Sequence, residues 1–162
     1  MPSSRGEAQA VRLERAVDAF VDRIRRVPPE LLTRAPAPGE WDMMQLLAHC
    51  AEIYAYWAKQ VADIRLNPAQ PFGRTAADPL RAQFIEDHRG DPVESLITRM
   101  QEGAAAAAAA LRVYNDDEWL TVTGLHSGRG LMDMDGICQL FLTGHAEEHL
   151  KQFDETLAQL TR

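Results

Sequence analysis

The chain has 162 residues, of which 46% are hydrophobic and 25% charged, the profile of a globular protein large enough to bury one full core. A formal net charge of −7 with no basic cluster argues against nucleic acid as a partner. No apolar run approaches the roughly 20 residues that cross a bilayer, so no membrane partner is expected either.

The first helix is marked by Leu13, Val17, Phe20, Ile24 and Val27, which recur at steps of four and three and share one stripe. The stretch from Met1 to Val27 mixes charged and apolar residues and holds no continuous apolar core like that of a signal peptide. Pro28 and Pro29 end the helix. A second helix starts near Trp41, buries Leu46, Cys50, Ile53, Trp57 and Ile64, and closes at Asn67-Pro68. Asp78-Pro79 and Gly90 bracket a short extra helix. The third long helix opens with Asp91 as N-cap, Pro92 at the first helical position and Glu94 in the first turn, and runs through Leu96, Met100, Ala104 and Leu111 to about Tyr114. Its alanine run, Ala104 to Ala110, gives a slim face suited to close packing. From Asn115 to Met132 the sequence reads as a glycine-containing loop, in which Leu120 to Thr123 is too short to build a sheet. The fourth helix starts near Asp133 and carries Met134, Cys138, Phe141, Leu157 and Leu160. The expected fold class is all-α, a four-helix bundle with at least one long crossover, in a single domain over residues 1–162. Cys50 and Cys138 are isolated, which fits a reduced, cytoplasmic setting without a disulfide framework.

The most informative segment is Gly144-His145-Ala146-Glu147-Glu148-His149. Residues four apart lie one above the other on a helix face, so His145 and His149 can share a metal ion. Both continue the stripe set by Met134, Cys138 and Phe141. On the second helix His49 lies three residues after Leu46 and four before Ile53, and it also faces inward. Each alone could be a core histidine bonded to a neighbour; three converging imidazoles satisfy one another best through a metal. A three-histidine set leaves a coordination position open, as catalytic sites do. Zinc suits such nitrogen ligands, with nickel, iron(II) and manganese as further candidates. The ion would lower the pKa of a water or thiol in the open position. Glu52, Tyr56, Glu148 and Gln152 could border that position. His88 and His126 read as surface residues, and Trp41, Trp57 and Trp119 as packing residues.

Two motif readings compete. His145 to His149 matches H-x-x-E-H, the inverted zinc-protease motif with Glu148 as base, but only thirteen residues follow His149, too few for the further glutamate ligand. A di-iron carboxylate bundle requires two Glu-x-x-His pairs. Leu46 and Ala146 occupy the positions three before His49 and His149, which removes that class.

Trp41-Asp-Met-Met-Gln-Leu-Leu-Ala-His49, followed far downstream by Gly144-His145-Ala-Glu-Glu-His149-Leu-Lys-Gln152, resembles the DinB/YfiT-like superfamily over nearly the whole chain. The resemblance implies an up-down-down-up bundle, metal ligands at His49, His145 and His149 with zinc or nickel most usual, and a homodimer. It implies a transferase that activates a low-molecular-weight thiol, such as bacillithiol or mycothiol, toward a small electrophile in detoxification. A metal-dependent hydrolase of a small amide or ester and a non-catalytic metal- or ligand-binding module are the alternatives.

Overall fold

The computed structural model describes residues 1–68 and 70–162. The chain forms α1 (Ser4–Ile24), α2 (Pro29–Leu32), α3 (Met43–Leu66), β1 (Pro71–Phe72), α4 (Pro79–His88), α5 (Val93–Arg112), α6 (Asp116–Thr121), β2 (Thr123–His126), β3 (Gly130–Asp133), α7 (Met134–Phe141) and α8 (Thr143–Leu160). No described helix is long and apolar enough to cross a membrane.

The long helices start where local chemistry permits. Ser3 caps α1 by accepting from the Arg5 N–H, and its own hydroxyl donates to Asp116 at 2.8 Å, tying the N-terminus to α6. Asp42 caps α3 in a full capping box with Gln45. The cap of α5 is Pro92, one residue later than expected, and it makes no side-chain bond; Asp91 instead accepts from His88 Nδ1 at 2.8 Å.

The directions of the four long helices follow from their contacts. Arg112, at the end of α5, grips Glu7 near the start of α1 and Glu14 at its middle, and Arg25, just past the end of α1, pairs with Glu94 in the first turn of α5, so these two run antiparallel. Arg12 and Arg23 of α1 meet Glu147 and Asp154 of α8 in the same order, so α1 and α8 are parallel. The Tyr114 hydroxyl, just beyond α5, donates to the Val61 carbonyl late in α3, and Gly103 lies against Tyr54 and Ala55, so α3 and α5 are parallel. The result is an up-down-down-up, all-α four-helix bundle. The most extensive interface joins α3 to α5, where Ala104, Ala107 and Ala108 are buried and let the backbones approach closely.

Two expectations are corrected. The segment from Asn115 to Met132 is not a structureless loop: it forms α6 and a hairpin whose strand β2 pairs antiparallel with β3 and parallel with β1. Strands of two to four residues suffice because the sheet leans on the bundle, with Phe72, Gly124 and His126 buried. The fourth helix is also broken. Leu142 leaves helical geometry (φ −123°, ψ −93°), and α8 restarts at Thr143. A Cβ at Gly144 would stand 2.1 Å from the Gln139 carbonyl oxygen, so only glycine fits this tight joint. The break sits immediately before His145 and sets the angle at which α8 delivers its histidines.

Candidate metal centre

The bundle brings His49, His145 and His149 together, as the sequence predicts. One nitrogen from each ring lies within 4.8 Å of the others. His145 Nε2 is 2.8 Å from His149 Nε2 and 3.4 Å from His49 Nε2. His49 and His149 are buried, at 1% and 8% exposure, and His145 is partly open.

The chemistry of this set fits a divalent cation. Burial lowers all three imidazoles from the usual histidine range, His145 down to about 3, which favours their neutral forms with lone pairs free. A neutral imidazole carries one N–H, so three nitrogens meeting edge to edge cannot all be satisfied by one another. His149 Nδ1 donates to Gln152 Oε1 at 3.1 Å, which puts the ring's proton on Nδ1 and leaves Nε2 as a lone pair facing its neighbours. That is the support a metal-bound histidine characteristically receives. Bond lengths of 2.0–2.1 Å to tetrahedral zinc imply ligand nitrogens about 3.4 Å apart, equal to the His49–His145 separation and wider than the 2.8 Å between His145 and His149.

The flanking residues fall into place unequally. Gln152 touches His149 directly. Glu52 is taken by Arg74 at 2.6 Å, with both side chains almost buried, and the Arg74 guanidinium lies 3.9 Å from the Tyr56 ring centre. Neither Glu52 nor Tyr56 is therefore free to serve the histidines. Trp41 packs its ring 5.2 Å from that of His49. Glu148 is exposed and lines a cavity beside the histidines.

A cavity of about 550 Å³ opens beside the centre, with His49 and His145 in its wall. Its apolar side is a stack of nearly parallel rings: Trp57 on Phe141 (4.2 Å, 8°) and Phe141 on His126 (4.9 Å, 12°). Arg74, Arg81 and Arg129 supply cationic groups. His126 corrects the sequence reading. It is 4% exposed rather than a surface residue, because it occupies an inward position of β2. Gly73, at φ +78°, lies against the ring edge, where a Cβ would come within 2.7 Å of Nε2. The Ser127-Gly-Arg-Gly130 turn between two short runs was the available signal for this hairpin. Arg81, on α4, and Arg74, after β1, had no local signal. His88 is partly buried against Phe84 and Asp91, away from the histidine cluster.

Comparison with known proteins agrees with this architecture. The family profile of the DinB superfamily matches residues 12–153. Among solved structures, YfiT from Bacillus subtilis, described as a probable metal-dependent hydrolase with an unusual four-helix bundle topology, superposes with a TM-score of 0.79 at 14% identity, covering 99% of this chain and 90% of that one. The mycothiol-dependent maleylpyruvate isomerase superposes with a TM-score of 0.65 at 13% identity, and a point mutant of it with 0.69 at 12%. This chain is covered to 97% in both cases but spans only 63% of the isomerase. No curated protein matches the sequence.

Proposed function

The chain belongs to the DinB superfamily, and on that premise we propose that it is a metal-dependent transferase in which His49, His145 and His149 hold one divalent ion, zinc or nickel ahead of iron or manganese, for reaction of a small thiol with a small electrophile. The observation that carries the reading is the convergence of three imidazoles, two of which, His49 and His145, line a cavity of small-molecule size. An ion held by three nitrogens keeps an open position and lowers the pKa of a thiol placed there.

The protein's own groups complete the site. Gln152 fixes the His149 tautomer. Arg81, on the same cavity wall as His49 and His145, adds positive charge that favours the anionic form of a bound thiol. Glu148, on the cavity wall and open to solvent, receives the thiol proton and passes it to water. The sulfur then forms a bond to the electrophilic carbon of the second substrate, and the leaving group departs with the bonding pair. The ring stack of Trp57, Phe141 and His126 shields one side from water. The isomerase that shares this fold depends on a thiol, mycothiol.

Glu148 also favours a second reading. A carboxylate beside His149 could take a proton from water, which would make the protein a hydrolase of a small ester or amide, the class named for YfiT. One paired assay separates the two. Zinc- or nickel-loaded protein is given 1-chloro-2,4-dinitrobenzene with and without 2-mercaptoethanol, and p-nitrophenyl acetate without thiol. The transferase reading expects turnover only with thiol and its loss in His145→Ala. Ester turnover without thiol would replace it with hydrolysis. Metal binding with neither activity would leave a binding module.

A further inference from the structure

The cavity's charge runs against that of the whole molecule. In a chain of net charge −7, its wall holds Arg74, Arg81 and Arg129 against one carboxylate, Glu148. Arg74 is neutralised from behind by Glu52, which leaves two guanidiniums without an ion-pair partner.

Arg81 is the more informative of these. Among the described residues, every other arginine that lacks a carboxylate within 4.0 Å is exposed, whereas Arg81 is partly buried. Its Nη1 donates to the Ala76 carbonyl at 3.1 Å, and its Nε is buried with no hydrogen-bond partner. It lines the same cavity wall as His49 and His145. A half-buried cation costs free energy when unpaired, and beside the nitrogens of a cation site it also repels the cation. An anion lying between the two satisfies both.

His126 supplies an independent sign. The Gly128 N–H donates to His126 Nδ1 at 3.0 Å, so that nitrogen carries the lone pair and the neutral ring's proton sits on Nε2. This Nε2–H is buried and makes no well-formed hydrogen bond, with the Arg74 backbone nearby, in a residue of the same cavity wall. Buried donors without a well-formed partner are rare in folded proteins. Beside it the stacked rings of Trp57 and Phe141 make the same cavity wall apolar.

We propose that this cavity takes a small ligand with a flat apolar body and a carboxylate, and that Arg81, assisted by Arg129 at the rim, is the residue that selects for the carboxylate. The proposal rests on reading the cavity as the ligand site of the function above, and it applies whether the carboxylate belongs to the thiol or to the electrophile.

Benzoate and its neutral isostere benzamide are suitable probes, titrated by calorimetry into the full chain in metal-free and zinc-loaded forms. In the metal-free protein, where no ion can attract the carboxylate, benzoate should bind at least tenfold more tightly than benzamide. Arg81→Gln should abolish that preference, Arg129→Gln should reduce it several-fold, and Arg99→Gln, in a different hollow, should leave it intact. Should Arg81→Gln fail to fold, the wild-type ratio and the Arg129→Gln ratio still decide. Equal binding of the two probes, or an undiminished preference in folded Arg81→Gln, would overturn the proposal. Zinc content measured on the same samples separates it from the metal reading: bound zinc without a benzoate preference removes only this inference, and a benzoate preference without bound zinc removes only the metal. Comparing 3-mercaptopropionate plus a neutral electrophile with 2-mercaptoethanol plus 4-chloro-3-nitrobenzoate then assigns the carboxylate to one substrate or the other.

Discussion

Two hollows of nearly equal size lie on opposite sides of α3. One, about 530 Å³, is lined by Ala51, Ala55, Gly103 and Ala106 together with Tyr56, Phe84 and the charged Glu52, Arg99 and Glu102; the other, about 550 Å³, holds His49 and His145, the stacked rings and the arginines. Volume does not distinguish them. Satisfaction of polar groups does. Of the four buried side-chain polar atoms left without a partner among the described residues, three belong to the second hollow, His49 Nδ1, Arg81 Nε and His126 Nε2, and none to the first. Each such group costs about 1–3 kcal/mol. A fold keeps them together where something outside the chain completes them, while small side chains packed between two helices need no completion.

The contrast can be tested by disturbing each hollow in turn. The largest effect is expected from His145→Ala, which removes the imidazole nitrogen that lies closest to those of His49 and His149. Metal content of the purified protein should fall from about one ion per chain to near none, a loss of more than about a hundredfold in affinity, since removing even a supporting partner costs about 10–100-fold. Equal metal content in variant and wild type would sink the centre. Gln152→Ala should reach that smaller range, about 10–100-fold in zinc affinity by competition with a chelator, because the His149 ring loses the acceptor that fixes its tautomer.

Acid should separate the hollows as well. In the folded metal-free protein His145 titrates at about 3, against 6.5 for an ordinary histidine. Below pH 6.5 the unfolded chain therefore binds a proton that the folded chain refuses, and stability is lost as pH falls from about 6.5 toward 3. Between pH 7 and pH 5 the loss from this one group is about 2 kcal/mol. Denaturant melts at the two pH values should show His145→Gln losing less stability than wild type by up to that amount; parallel losses would show that the imidazole is not held neutral. The smallest effect is expected in the alanine-lined hollow. Glu102→Ala, at an exposed position, should change stability by less than about 0.5 kcal/mol and leave metal content unchanged.

The two hollows also differ in how much of them the sequence discloses. His49, His145 and His149 are legible because helical periodicity is local: three- and four-residue steps put each on an apolar stripe before any packing is known. The same rule locates the four long helices and the buried alanines. It misreads the fourth helix as continuous, because the Leu142 break is enforced by the close approach of Gly144 to Gln139 rather than by a proline. It places His126 at the surface, because a four-residue strand carries too little alternation to announce which face is buried; β1, from a distant connection, and the aromatic side of the bundle decide that.

By itself, then, the sequence determines the helices, their inward faces and the three imidazoles, since these depend on spacing along one chain segment at a time. Only the tertiary structure decides what surrounds the imidazoles. Arg74 follows a short strand, Arg81 belongs to a helix in a connection and His126 to a hairpin. Their meeting at one cavity, and the pairing that neutralises Arg74 while leaving Arg81 free, are set by packing between segments far apart in sequence, for which no local pattern of residues carries a signal.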